Sequence, residues 1–236
     1  MERSCKCISQ EVLKLIACVT MLIDHFGVAI VINLPIPGVV SLYYACRVIG
    51  RIAFPIYCFL LVEGMRRTRN PRKYILRLGV GILLAEIPFD LLFEGGFSWG
   101  YQSVMVTLTL GAVMLLCMEK VERNWVKLLL VLPFAVLAEF AESDYGGWGI
   151  AMIAAFALVD RFAFRFAGVL LVSYLMPSAM IRVFGVNVSC ELAALFAMLP
   201  IGLYSGKKLT YSKAVQWGFY LFYPLHLLLL WLITLL

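Results

Sequence analysis

Three ionisable residues stand inside the first hydrophobic stretch of the chain. Leu13 to Leu34, read as LKLIACVTMLIDHFGVAIVINL, carries Lys14 near its start and the pair Asp24-His25 in its middle. About 22 residues are enough to cross a bilayer as a helix, and a charge at bilayer depth costs about 2.5–3.5 kcal/mol on insertion scales. Ionisable groups kept there mark a functional site. The eleven positions from Lys14 to His25 return almost to one helix face at 100° per residue, about three turns and roughly 16 Å further along. Both side chains therefore look into one channel or bundle interior, over Cys18 and Met21. As a neutral imidazole, His25 is suited to general-base chemistry, an effect typically worth about 10²- to 10⁴-fold in rate.

Further chemistry-bearing residues recur in other apolar stretches. Arg47 and Arg51, in YYACRVIGRIAFPIYCFLLVEG, are spaced i,i+4 on one face, with Pro55 one turn further. Two guanidiniums at that depth need acidic partners or an anionic ligand. Glu86 and Asp90, in AEIPFD, are also i,i+4, with Pro88 between them to loosen the backbone. Antiparallel packing of the two helices would set the pairs at similar depth, whether as a site or as a structural Arg–carboxylate lock. Near the C-terminus FYLFYPLHLLLL puts Tyr223 and His226 one turn apart around Pro224. His226 is expected near mid-membrane, comparable in depth to His25, as a packing residue or as part of the site. The densest charge run is MRRTRNPRKY, which reads as a topology determinant and then as a contact for anionic lipid. Its Arg66, Arg67, Arg69, Arg72 and Lys73 also have the charge to hold cofactor phosphates, although no glycine-rich phosphate loop accompanies them.

The elements that must position these residues follow from composition. Of 236 residues 63% are hydrophobic, against about 45–50% apolar in ordinary globular domains. The expectation is an all-α, polytopic transmembrane helix bundle forming a single domain, 1–236, whose first segment is kept as a membrane helix rather than cleaved. Apolar runs and breakers predict helices at 12–34, 39–64, 73–93, 102–118, 125–141, 147–159, 163–181, 188–204 and 215–235; that is about nine, with eight or ten as alternatives because the glycines near 146 leave the sixth uncertain.

The net charge of +6 follows topology, not nucleic acid binding. With the N-terminus cytoplasmic, all but three of the 20 basic residues lie inside: Arg182 is outside, and Arg47 and Arg51 are within the membrane. Asp24, Glu86, Asp90, Glu94, Glu139, Glu142, Asp144 and Glu191 gather instead in the outer half or outer loops. They form either a vestibule attractive to a cation or, for several, solvated loop positions. The seven cysteines are scattered through hydrophobic segments and read as free thiols. No transition-metal site is expected, since the two histidines are not at ligand spacing and Cys5 and Cys7 lack partners.

LKLIACVTMLIDHFG, CRVIGRIAFPIYCFLLVEGMRRTRNPRKYILRL, AEIPFDLLF and FYLFYPLHLLLL, in that order, resemble the TraX family, named for a conjugative-plasmid protein that N-acetylates pilin. A more distant similarity is to type-three membrane acyltransferases and the lysosomal heparan glucosaminide acetyltransferase, which move acyl groups from cytosolic acyl-CoA to acceptors across the membrane. In the type-three family a basic residue, ten others and a His mark the first helix, as Lys14 and His25 do here. The family's paired arginines are similar to Arg47 and Arg51, with a spacing of four here rather than three, and its closing Tyr-Leu-x-His is loosely echoed by Tyr223-Pro224-Leu225-His226.

The resemblance implies an acyltransferase of the bacterial cytoplasmic membrane, multi-pass, with acetyl-CoA or a similar acyl-CoA as donor and no metal. Its phosphates would lie near Lys14 and the Arg66–Lys73 loop, and the acceptor would arrive from the outer face. His25, beside Asp24, would deprotonate an amine or hydroxyl, or carry the acetyl group itself. Arg47 or Arg51 would stabilise the oxyanion or pair with Glu86 and Asp90, and Tyr223 and His226 would complete the site. Expected partners are acyl-CoA, membrane lipids and an amine-bearing peptide or small-molecule acceptor, with a homodimer left open. Two other classes use the same residues. In a secondary transporter or flippase they would form a proton relay and substrate site, though no duplicated halves are visible. In a noncatalytic assembly protein they would only hold helices together, and changing His25 would leave function intact.

Overall fold

A computed structural model of the chain describes residues 6–183, 186–209 and 212–236. Arg3 and Cys5 lie outside them. The described residues are predominantly α-helical and pack as two compact units, one of Met1–Tyr57 with Val169–Leu236 and the other of Cys58–Gly168.

The first unit starts with α1, Gln10–Ala29. Ser9 caps it by accepting from the Val12 N–H at 3.3 Å, satisfying one of the orphan donors of the first turn. A 3₁₀ turn, Val31–Asn33, leads to α2, Val39–Gly50, after Gly38 in the left-handed region at φ 78°. The helical path breaks at Arg51 and Ile52 and resumes as α3, Ala53–Arg67. Pro55 accounts for the break: it has no N–H, and its ring crowds the carbonyl four residues back, that of Arg51.

The unit continues at the end of α8, Phe162–Leu175. The expected helix 163–181 ends short because Pro177 disfavours helical backbone at the residue before it. An antiparallel hairpin follows, β1 Met180–Val183 with β2 Val186–Ser189, in register Met180 opposite Ser189. The expected helix 188–204 is chiefly a 3₁₀ segment, Cys190–Ala197, before the short α9, Met198–Gly202. The unit closes with α10, Lys213–Thr234. α1 packs antiparallel to α2, and Lys14 meets Phe219 while His25 meets His226, so α1 and α10 run in the same direction.

The second unit is built from the end of α3, α4 (Pro71–Phe93), α5 (Val104–Glu119), α6 (Asn124–Phe140), α7 (Gly146–Ala157) and the start of α8. Asn70 caps α4 at Lys73 N, 3.0 Å, and Pro71 occupies the first turn where its missing donor is harmless. α4 passes Pro88 without ending. On α4 Leu76, Val80, Leu83, Leu84 and Ile87 are all exposed. Their spacing makes one apolar stripe that faces outward, the reverse of a water-facing helix. Leu128, Leu129, Leu132, Val136 and Phe140 repeat it on α6. Exposed apolar stripes on successive helices are lipid-facing surface. Three helical stretches are long and apolar enough to cross a membrane: Gln10–Asn33, Val39–Arg67 and Ala214–Thr234. This is a membrane protein.

Candidate functional site

In the first unit the imidazoles of His25 and His226, 201 residues apart in sequence, stand with Nδ1 of the first 2.7 Å from Nε2 of the second. Their planes are 1° apart and their centroids 5.0 Å. Parallel planes with nitrogens in contact mean two coplanar rings meeting edge to edge, the geometry of one N–H···N bond. The direction of that bond is fixed from the far side, where His226 Nδ1 lies 2.7 Å from the carbonyl oxygen of Phe222. A carbonyl only accepts, so Nδ1 of His226 carries a proton. In a neutral ring its Nε2 is then a lone pair, and that lone pair accepts from Nδ1–H of His25. The proton of His25 is thereby placed on Nδ1 and its basic lone pair on Nε2. His226 is buried, whereas His25 is half-buried. Tyr223, also buried, stands edge-on to both rings, 6.3 Å from His25 and 5.6 Å from His226 between centroids.

Asp24 turns to a different neighbour, since adjacent helix positions diverge by about 100°. Its Oδ2 accepts from Arg47 Nη1 at 2.6 Å, and its Oδ1 is 3.7 Å from Arg51 Nη2. Arg51 Nε is 3.1 Å from Glu191 Oε1. Two carboxylates thus face two guanidiniums, joining α1, α2 and the Cys190–Ala197 segment. The Arg47 side chain keeps 25% of its surface accessible and that of Arg51 8%, so Arg47 is the one open to a ligand. α1 and α2 approach this closely because of two glycines: a Cβ on Gly27 would stand 2.5 Å from that of Cys46, and one on Gly50 would overlap the Asp24 side chain.

Below His25 on the same face of α1, Cys18 Sγ is 3.3 Å from the Tyr57 hydroxyl. Lys14 Nζ lies over the Phe219 ring at 5.2 Å from its centroid, held there by cation–π attraction.

The family model for TraX protein matches residues 9–234. The chain belongs to the TraX family. It is 31% identical over 239 residues to a "Probable fimbrial assembly protein FimC, serogroup H1" of Dichelobacter nodosus, covering 92% of each chain. No solved structure matches it.

For this TraX family chain the structure sorts the residues the sequence singled out. Lys14, Asp24, His25, Arg47, Arg51, Tyr223 and His226 all fall in the first unit, all but Lys14 in the two linked clusters just described. Glu86, Asp90 and the Arg66–Lys73 run are in the second. Glu86 accepts from Ser103 N and Oγ at 3.2 and 2.7 Å, and buried Asp90 accepts through Oδ2 from Ser98 N at 3.1 Å. Arg66 donates to Asp160 Oδ1 at 2.7 Å and to the Ala157 carbonyl at 2.8 Å, so it caps the C-terminus of α7, where a cation is favoured. Beside Arg66, the carboxyl of exposed Asp160 is held below its usual range, first by that hydrogen bond and then by the charge. Arg67 pairs with Glu63 one turn back at 2.7 Å. Arg69, Arg72 and Lys73 are exposed.

Sequence reasoning missed two participants in these clusters, Glu191 as the partner of Arg51 and the Phe222 carbonyl as the group that orients His226. Glu191 had a signal, being an acid in an apolar segment with no basic neighbour of its own. The carbonyl had none beyond its position four residues before a histidine.

Proposed function

We propose that this protein is a multi-pass acyltransferase of the bacterial cytoplasmic membrane, moving an acetyl or short acyl group from acyl-CoA to an amine or hydroxyl acceptor, with Nε2 of His25 as the base. The observation that carries the reading is the oriented histidine pair. His25 receives the acceptor's proton on Nε2, becoming cationic, and its Nδ1–H remains anchored on His226. A fixed tautomer and a fixed ring orientation are what general-base catalysis requires of an imidazole. The acceptor then attacks the thioester carbonyl, a C–N or C–O bond forms, and the thiolate leaves and takes the proton back from His25. Arg47 supports the oxyanion, having accessible surface and a charge already positioned by Asp24. An acetyl group carried on Nε2 of His25 is the two-step version of the same chemistry.

A fimbrial subunit is the acceptor this reading favours, supported by the family's association with pilin acetylation and by the fimbrial-assembly name of the Dichelobacter relative. The shared direction of α1 and α10 is what an odd number of crossings requires. The test is acetyl transfer from radiolabelled acetyl-CoA to membranes or purified subunits, comparing the wild type with His25→Gln and His226→Gln. Transfer at the wild-type rate in a folded His25→Gln protein would sink the proposal.

A further inference from the structure

At the N-terminal end of α1 the chain segment Leu203–Leu209 lies alongside residues 8–11 and is stapled to them. Ile8 N donates to the Leu203 carbonyl at 3.0 Å, Ser205 N to the Ile8 carbonyl at 2.8 Å, Gln10 N to the Lys207 carbonyl at 3.0 Å, and Leu209 N to Glu11 Oε2 at 2.8 Å. This strap fixes two exposed lysines, Lys207 and Lys208, beside the foot of α1. Lys208 is within electrostatic reach of half-buried Lys14, whose ammonium is steadied over Phe219. Ammonium groups gathered at one end of a membrane helix repel each other; Glu11 beside them offsets part of that repulsion, and an anion that meets all of them offsets the rest. Lysines are compact, strongly hydrated point charges, suited to phosphate rather than to planar bidentate carboxylate pairing.

We propose that Lys207 and Lys208, held by this strap beside Lys14, form a phosphate-binding site, filled by the phosphates of a nucleotide-bearing acyl donor or by a phospholipid headgroup. The site lies on the same unit as the histidine pair, and Lys14 shares a face of α1 with His25 roughly 16 Å further along. An elongated donor anchored by its phosphates has its reactive end directed up that face. In the competing basic run Arg66 and Arg67 are committed to Asp160, Ala157 and Glu63, which leaves the exposed Arg69, Arg72 and Lys73 as the rival site. The identity of the anion as the donor rests on the acyltransferase reading, whereas the site itself does not.

Adenosine 3′,5′-bisphosphate, the nucleotide end of CoA without a thioester, is titrated into the purified full-length protein in neutral detergent. Retention of phosphatidylglycerol over phosphatidylcholine is measured on the same samples. The variants are the pair Lys207→Gln with Lys208→Gln and, as control, the pair Arg72→Gln with Lys73→Gln. A Lys207→Arg, Lys208→Arg pair keeps the charge and guards against misfolding. Bisphosphate binding weakened about tenfold in the first pair, and kept in the control and arginine pairs, supports the donor site. Bisphosphate ignored while phosphatidylglycerol selectivity is lost in the first pair alone supports the site with a lipid headgroup in it. Every anion that binds doing so equally in wild type and the first pair, or neither bound by a folded wild type, overturns the site. Acetyl transfer persisting in that last case leaves the acyltransferase reading standing.

Discussion

Replacing Gly50 by alanine tests the closeness of α1 and α2 on which the charge cluster depends. The added methyl would lie inside 3.0 Å of three Asp24 atoms, Oδ1, Cβ and Cγ. Two of them belong to the root of the side chain, so rotating a flexible end does not relieve the overlap, and the helices must separate or Asp24 must leave Arg47. Overpacking of this kind costs about 1–3 kcal/mol, and the better helix propensity of alanine returns about 1 kcal/mol. A net loss of about 1 kcal/mol corresponds to a melting temperature lower by about 3 °C for a chain of this size. Gly79→Ala in α4 and Gly218→Ala in α10 are the controls, since nothing lies within 4 Å of a Cβ at either position. They should leave the melting temperature in detergent unchanged or raise it. If Gly50→Ala melts with the controls, the two helices are not in the contact described, and Asp24 is not held by it.

Three further outcomes follow. Arg51→Met alone leaves buried acids under-compensated and should cost about 3–5 kcal/mol, whereas Arg51→Met with Glu191→Met should be closer to neutral; equal losses in thermal unfolding would argue against the 3.1 Å pair. His226→Gln should lower the rate of acetyl transfer by about 10²-fold or more while leaving the affinity for acetyl-CoA within about twofold; a raised KM with an unchanged kcat would place His226 in binding instead. The depressed carboxyl of Asp160 adds stability that is present above the unfolded pKa, 3.8, and is lost as pH falls through the lower folded value. Because Asp160 is exposed the gain is at most a few tenths of a kcal/mol. The gap between wild type and Asp160→Asn should therefore stay constant from neutral pH down to about 4 and close below it, and a gap already closed at pH 6 would refute the link to Arg66.

The membrane character and the helical elements were legible in the sequence, because apolar runs of sufficient length leave the backbone no other way to satisfy its hydrogen bonds in lipid. The local breaks were missed, since the expected helices 39–64 and 163–181 run through Pro55 and Pro177. Pro55 and Pro177 carry their consequences within four residues, yet the hairpin at Met180–Ser189 was read as the end of one helix and the start of another because its residues are apolar enough for either. The common face of Lys14 and His25 also came from sequence, since helical periodicity alone sets it.

What the tertiary structure decided was partnership. Arg51 meets Glu191 and Asp24, and His25 meets His226, partners that no spacing in the sequence had joined. Spacing along one helix fixes direction around that helix only. Which charge meets which across helices depends on where small residues such as Gly27 and Gly50 allow backbones to close, and that is settled between segments remote in the chain. For the same reason the orientation of the His25 imidazole, set through His226 by a backbone carbonyl on α10, belongs to the folded protein and to no motif.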